Sequence, residues 1–159
     1  MSLAILPGSY DPITLGHLEL IRRAAERYDE IVIAVMVNAA KKTMLTMEER
    51  VRLAELTVAE IPHARVIADT GMLIDLYDRL GADAVCKGYR NETDYAYEMH
   101  MAEWNRAHNP RFETVLMKSE GEHATLSSTE VRERLARGES VDGLVHPSVA
   151  MFLYSKYKG

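Results

Sequence analysis

The residues best suited to chemistry in this sequence are cations and hydrogen-bond donors that follow apolar runs. His17 comes directly after Gly16 in a segment where two prolines stiffen the chain and Gly8 allows a close approach. Thr14 can cap a helix that begins near Gly16, which places His17 beside free backbone N–H groups and the positive end of the helix dipole. That position attracts an anion and disfavours an imidazolium, so it favours a neutral His17 that donates a hydrogen bond to a phosphoryl oxygen. A histidine that only caps its own helix is the alternative.

Two more cations stand in the segment Lys87-Gly88-Tyr89-Arg90, directly after an apolar run. A cation at the end of a buried strand is harder to explain by solvation than one on a helix face, so this spacing favours phosphate binding. The alternative is structural: Lys87 extends its amine to solvent, and Arg90 pairs with Asp94 or Glu92.

The sequence contains two weaker candidates. Lys41 and Lys42 follow Ile31–Val37, although paired lysines are usually solvated, and the hydroxyl-rich segment Thr125–Thr129 precedes a helix. Capping alone explains one or two of those hydroxyls. One polyphosphate could bridge all of these groups, and none of them resembles a nucleophile or a metal cage. Such a set favours phosphoryl or nucleotidyl transfer, in which positioning and charge stabilisation carry the catalysis.

The elements that must position these residues alternate along the chain. Strand-like runs are predicted at 3–6, 31–37, 64–68, 83–87 and 112–117, with helical periodicity between them. This order predicts an α/β fold: a single domain over residues 1–159, with a five-stranded parallel sheet and helices on both faces. Ligands of this class bind at the carboxyl ends of the strands. We therefore expect the site in the strand-to-helix loops at 7–16, 38–46, 69–72, 87–93 and 118–127.

Composition excludes several classes of protein. With 159 residues, 47% apolar and 27% charged, the chain fits one globular domain, and its longest apolar run is far too short to span a membrane. A net charge of −5 argues against a nucleic-acid partner. The single cysteine, Cys86, and a first strand beginning at Leu3 predict a cytoplasmic protein without a signal peptide. Glycine-rich dinucleotide and P-loop motifs and a serine-hydrolase motif are missing, so the sequence supports none of these sites. The histidines also lack zinc-ligand spacing, so no protein-bound metal is predicted.

Four motifs in order resemble the bacterial phosphopantetheine adenylyltransferases of coenzyme A synthesis. They are Pro-Gly-Ser-Tyr-Asp-Pro-Ile-Thr-x-Gly-His, Lys-Lys-x-Met-x-Thr-x-Glu-Glu-Arg, Gly-Tyr-Arg-x-x-x-Asp-Tyr-x-Tyr-Glu-Met and Ser-Ser-Thr-x-Val-Arg, and the likeness runs from about Ala4 to Met151. The resemblance implies a Rossmann-like nucleotidyltransferase fold and transfer of AMP from ATP to 4′-phosphopantetheine, giving dephospho-coenzyme A and pyrophosphate. It also implies Mg²⁺ with the ATP, a homohexamer, and direct in-line attack without a covalent intermediate.

The resemblance also implies site residues. The catalytic residues would be His17, Lys41 and Arg90, with His17 stabilising the transition state at the α-phosphate. The phosphopantetheine site would comprise Ser9, Lys41, Leu73 and Lys87. The ATP site would comprise Ser9, Tyr10, His17, Gly88, Tyr89, Arg90, Glu98, His123, Ala124, Thr125, Leu126, Ser127, Ser128 and Thr129. Three departures from the family pattern are Lys87 in place of Arg, His123-Ala124-Thr125 in place of a more aromatic stretch, and Ser9 in place of the commoner Thr.

Two other functions remain open at this point. A related nucleotidyltransferase, for example a cytidylyltransferase, would use similar residues on another phosphorylated acceptor. A non-catalytic nucleotide sensor would keep the fold, although the presence of both His17 and Arg90 argues against it. Coenzyme A or dephospho-coenzyme A, sharing the site as product, is an expected inhibitor.

Overall fold

The computed structural model describes residues 1–157, which form five strands and six helices. The strands are β1 (Leu3–Gly8), β2 (Glu30–Met36), β3 (Ala64–Asp69), β4 (Ala84–Tyr89) and β5 (Thr114–Lys118). The helices are α1 (Leu15–Arg27), α2 (Met47–Thr57), α3 (Leu73–Leu80), α4 (Glu92–His108), α5 (Ser128–Ala136) and α6 (Pro147–Tyr157). Of the predicted domain 1–159, Lys158 and Gly159 lie outside the described residues.

The sheet is parallel throughout, with the strand order β3-β2-β1-β4-β5. This confirms the predicted α/β class, a Rossmann-like fold in a single domain. The β2 residues Ile31–Val35 are buried on both faces, as their continuous apolar run predicts for an inner parallel strand. From β1 the chain builds β2 and β3 on one side, then crosses to add β4 and β5 on the other. The switch point therefore lies between β1 and β4.

Helices cover both faces of the sheet, as predicted. On one face α1, α2, α5 and α6 pack against alternate strand residues such as Leu6, Ile33 and Cys86. On the other face Leu76 and Tyr77 of α3 pack with Phe112 against Ile5 and other strand residues. In the described part of the chain, no helix combines the length and the apolar character needed to cross a bilayer.

The two central strands separate towards their carboxyl ends. β1 pairs with β4 only at Ala4 and Ile5, whereas it stays paired with β2 as far as Gly8. β4 in turn stays paired with β5 as far as Tyr89. The last three residues of β1 and the last four of β4 thus form the two sides of a fork. Its open end lies at the switch point.

The strands extend further than the sequence predicts at this fork. Pro7 and Gly8 were expected in a loop because both residues tend to end strands, but they pair with Ala34 and Val35 of β2. Likewise β4, predicted to end at Lys87, continues through Gly88 and Tyr89, which pair with Met117 and Lys118 of β5. The predicted strand at 112–117 begins instead at Thr114, and Phe112 is buried just before it. Strand ends therefore line the cleft at positions where loops were expected.

Candidate functional site

A cleft of about 300 Å³ fills the fork between β1 and β4. Its floor is formed by strand residues, and its sides by the first turn of α1, the first turns of α4 and the segment before α5. Ten of the predicted site residues line it: Tyr10, His17, Lys87, Gly88, Arg90, Glu98, His123, Leu126, Ser127 and Ser128. The imidazole of α1 and the guanidinium that follows β4 thus belong to one site.

The ring of His17 both caps its helix and lines the cleft. The backbone N–H of Thr14 donates to Nδ1 of His17 at 2.9 Å, while the Thr14 hydroxyl accepts from the His17 backbone N–H at 3.3 Å. Because a backbone N–H can only donate, Nδ1 is an acceptor and the neutral ring carries its proton on Nε2. Nε2 makes no hydrogen bond to any residue in 1–157. The two alternatives raised by the sequence therefore coexist: one nitrogen caps the helix, and the other is free to donate.

The environment keeps His17 neutral. Burial lowers the pKa of His17 to about 4, and the positive charges of Lys87 and Arg90 contribute to the decrease. Both cations lie across the cleft from α1, on or just after β4. At neutral pH the ring is thus an uncharged hydrogen-bond donor that shares the cleft with two cations.

The ring of Tyr10 packs against the ring of His17. Its backbone has a φ of 49°, in the left-handed region that non-glycine residues rarely adopt. Its hydroxyl donates to the carbonyl of Leu6 at 2.8 Å, and its ring centroid lies 4.9 Å from that of His17. A Cβ at position 8 would lie 3.1 Å from the Tyr10 ring, so Gly8 makes room for it. Burial raises the pKa of Tyr10, so its hydroxyl stays protonated and keeps donating to Leu6. That hydrogen bond stabilises the strained turn.

The cations of the cleft are paired with acids of α4. The Lys87 amine lies 3.3 Å from a carboxylate oxygen of Glu98, and Nε of Arg90 lies 3.0 Å from Asp94. The structural alternative for Arg90 is thus realised, while Lys87 pairs with an acid instead of only reaching solvent. All four groups line the same cleft, so its two cations are balanced by two carboxylates.

The segment before α5 forms the opposite wall. Ser127 caps α5 by accepting from the backbone N–H of Glu130 at 3.3 Å. The hydroxyl of Ser128 donates to the carbonyl of Pro12 at 2.8 Å, which ties α5 to the loop after β1. His123 closes the other end of this segment through contacts with Glu19 of α1 and the carbonyl of Gly143.

Seven predicted site residues do not line the cleft: Ser9, Lys41, Leu73, Tyr89, Ala124, Thr125 and Thr129. Leu73 lies in an adjoining cavity of about 120 Å³, which shares Lys87 and Glu98 with the cleft. The Tyr89 ring packs edge-on against Tyr95, with ring centroids 4.9 Å apart. Lys41 is exposed on the loop between β2 and α2. Thr129 accepts a hydrogen bond from Arg132 at 3.0 Å.

Sequence reasoning missed the residues that hold the loops in place. The buried carboxylate of Asp11 accepts from the backbone N–H groups of Met44 and Leu45, at 2.8 and 2.9 Å. Arg50 is also buried, and it donates to the carbonyl of Ser9 at 2.8 Å. Asp11 and Arg50 both stand within the motifs quoted above, but nothing in their local sequence indicates burial. Together they fix the loop after β1 to the segment that carries Lys41.

The carboxylates, imidazoles and thiol of residues 1–157 nowhere gather in threes as a metal site would require. The acids of the cleft, Asp94 and Glu98, each already face a cation. A divalent ion in this cleft would therefore be held mainly by a bound polyphosphate and by water molecules, several of which Mg²⁺ usually keeps.

Comparison with known proteins is consistent with this geometry. Residues 5–134 match the cytidylyltransferase-like family. The chain is 40% identical over 159 residues to a protein of Lachnoclostridium phytofermentans named phosphopantetheine adenylyltransferase, covering 100% of this chain and 98% of that protein. It is 43% identical over 145 residues to the phosphopantetheine adenylyltransferase of Rubrobacter xylanophilus, covering 91% and 88%. The protein of the same name from Symbiobacterium thermophilum is 40% identical over 157 residues, covering 99% and 97%.

Proposed function

Since this chain belongs to the phosphopantetheine adenylyltransferase family, we propose that it transfers the adenylyl group of ATP to 4′-phosphopantetheine. The products are dephospho-coenzyme A and pyrophosphate. The observation that carries this proposal is the convergence, in one cleft at the switch point, of a neutral His17 with a free Nε2–H and the cations Lys87 and Arg90.

In the proposed reaction a phosphate oxygen of phosphopantetheine attacks the α-phosphorus of ATP in line. A new P–O bond forms to the acceptor as the bond from the α-phosphorus to the pyrophosphate oxygen breaks. The Nε2–H of His17 donates to a non-bridging α-phosphoryl oxygen, where negative charge increases in the transition state. A neutral donor suits this role, since it loses no proton and its position is fixed by the Thr14 cap.

The proposed attack uses no side-chain nucleophile or general base. A phosphate monoester is largely dianionic at neutral pH, because its second pKa is about 6, so it needs no deprotonation. The only thiol on the cleft floor, Cys86, is 1% exposed, and burial raises its pKa. The hydroxyls of Ser127 and Ser128 are engaged in the cap and in the contact with Pro12. Direct transfer without a covalent intermediate agrees with these contacts.

We assign the acceptor to the β4 side of the cleft. Lys87 faces both the main cleft and the adjoining cavity that contains Leu73, so a phosphate near Lys87 can place an extended apolar chain against Leu73. Lys41 would reach the phosphates from its exposed loop. Arg90, Gly88 and the wall from His123 to Ser128 would bind ATP.

We further propose that ATP brings Mg²⁺ with it. Within the cleft, Lys87 and Arg90 are each already paired with an acid, Glu98 and Asp94. A triphosphate therefore needs additional positive charge, and Mg²⁺ would supply it by neutralising phosphate oxygens.

The homohexamer implied by the resemblance is part of the same proposal. The helix α4 has 17 residues, of which only Asn105 is buried, and it exposes Tyr95, Tyr97 and Trp104. A helix with so much exposed aromatic surface favours a contact with another copy of the chain. A cytoplasmic location and inhibition by coenzyme A, which would occupy the same cleft as the product, complete the proposal.

The test is pyrophosphate release with ATP or CTP, using 4′-phosphopantetheine and other phosphorylated acceptors. We expect turnover with ATP and 4′-phosphopantetheine. His17→Ala should reduce kcat by about 10²–10³ with little change in ATP affinity, because one transition-state donor is lost. His63→Ala is the matched control, since His63 lies near Ala25, away from the cleft. Preference for CTP or for another acceptor would favour a related transferase. ATP binding without turnover on any acceptor would indicate a sensor.

A further inference from the structure

The imidazole of His123 joins three segments at the edge of the cleft. Its Nδ1 lies 2.7 Å from a carboxylate oxygen of Glu19 on α1, and its Nε2 lies 3.1 Å from the carbonyl oxygen of Gly143. Both partners are acceptors, so both contacts are hydrogen bonds only when both ring nitrogens donate, that is, when the ring is an imidazolium. The hydrogen bond to Glu19 accordingly raises the pKa of His123 above its ordinary value. In that form His123 is the charged counterpart of the neutral His17 in the same cleft.

The backbone of His123 sets the shape of the cleft wall. Its carbonyl accepts from the backbone N–H of Leu126 at 3.2 Å, and the next two residues, Ser127 and Ser128, also line the cleft. A Cβ added at Gly16 would lie 3.3 Å from the His123 carbonyl oxygen. The wall therefore rests directly on the first turn of α1, next to His17, and any displacement of His123 displaces the wall.

We propose that His123 is a positioning residue for the nucleotide: as an imidazolium it holds residues 119–127 against α1, and nucleotide affinity falls when the ring loses its proton. This inference rests on the proposed function, because it takes ATP as the ligand of the cleft. Both ring N–H groups already have partners in the chain, so the ring has no donor left for ATP. Its effect reaches the ligand through Leu126 and Ser127.

The charged groups around the ring determine how it titrates. Glu19 faces it from α1, and Glu122 of its own segment lies 4.0 Å from Nε2. An adjoining cavity of about 390 Å³ on this side also contains Arg22 and Arg23 of α1 and Glu120. A neutral ring would keep one donor and turn a lone pair towards either the carboxylate or the carbonyl. Deprotonation thus weakens the attachment without abolishing it, and we expect ATP affinity to decrease by about fivefold, within the usual range of coupling between sites.

The experiment measures the dissociation constant of ATP by calorimetry between pH 6.5 and 9.5, in the full chain and in two variants. His123→Gln keeps one donor but cannot titrate, and it controls for the ionisation of ATP and of every other group. We expect wild-type affinity to fall with pH relative to His123→Gln, with a midpoint equal to that of His123 in an NMR titration. In Glu19→Gln the midpoint should move to lower pH, because the anionic partner is gone.

Reciprocity provides a second readout that needs no variant. If the protonated ring favours nucleotide binding, saturating ATP must raise the NMR titration midpoint of His123 in the wild-type chain. Parallel affinity curves for the wild type and His123→Gln, or an unchanged NMR midpoint, would overturn the inference while leaving the proposed function intact. Failure of the wild type to bind ATP at any pH would overturn both.

Discussion

Replacing Lys87 with Met tests whether His17 and the end of β4 share one electrostatic field. Burial, followed by Lys87 and then Arg90, lowers the pKa of His17 from 6.5 to about 4. Since burial is the largest of three causes and Lys87 the second, Lys87 accounts for at most half of that difference. In Lys87→Met, which removes the charge and keeps most of the stem, we therefore expect His17 to titrate above its wild-type midpoint of about 4 but still below 6.5, because burial and Arg90 continue to lower its pKa.

The assay is an NMR titration of the His17 ring in the free protein between pH 3.5 and 8. Lys118→Met is the matched control, because Lys118 ends the neighbouring strand β5 and does not line the cleft. It should leave the midpoint unchanged. The variant Lys87→Met also leaves Glu98 without its cation, so Lys87→Met/Glu98→Gln should be measured beside it. A wild-type midpoint near 6.5, or one that Lys87→Met does not move, would refute the geometry argued for the cleft.

Three further predictions concern the same site. Lys87→Arg should preserve or improve 4′-phosphopantetheine affinity by calorimetry, because Arg can hold phosphate with two parallel hydrogen bonds; a large loss would show that this lysine suits a different acceptor. Asp11→Asn should lower the free energy of unfolding in urea by about 1–3 kcal/mol, because Met44 and Leu45 donate to different carboxylate oxygens and an amide would turn its NH2 towards one of them; an unchanged value would contradict the buried contact. In the unfolded chain His17 binds a proton below about pH 6.5, whereas in the folded protein it does so only below about pH 4, so the wild type should lose stability as the pH decreases through this range. His17→Ala lacks this group, so its loss of stability over the same range should be smaller by up to about 3 kcal/mol.

Much of the fold could be predicted because its signals are local. The continuous apolar run Ile31–Val37 predicts an inner parallel strand, and β2 is buried on both faces. Thr46 with Glu49 three residues later predicts a helix start, and the structure shows their reciprocal capping bonds at α2. The glycine at 81 has the positive φ that ends α3. These features depend on neighbours in sequence, so composition and spacing reveal them.

The site could be predicted only in part, because its geometry depends on distant pairings. The order of residues predicts that the cations lie at strand ends. The depth of the fork, however, depends on where β1 stops pairing with β4. The partners of the Asp11 carboxylate lie 33 and 34 residues away, and His123 meets Glu19 across 104 residues. The tautomer of His17 is determined by the backbone N–H of Thr14, which donates to its Nδ1. No local pattern encodes such contacts. The binding and catalytic roles assigned to the site residues stay predictions.

The early parting of β1 and β4 has a consequence for how this protein responds to its ligands. Beyond Ile5 and Val85, each of these strands keeps only one hydrogen-bonded neighbour, so the middle of the sheet is its least cross-linked part at this end. A molecule that contacts both sides of the gap replaces the missing contacts between β1 and β4, and so connects β1–β2–β3 to β4–β5. A ligand bound in the cleft should thus slow amide exchange in both halves of the sheet and raise the melting temperature of the protein.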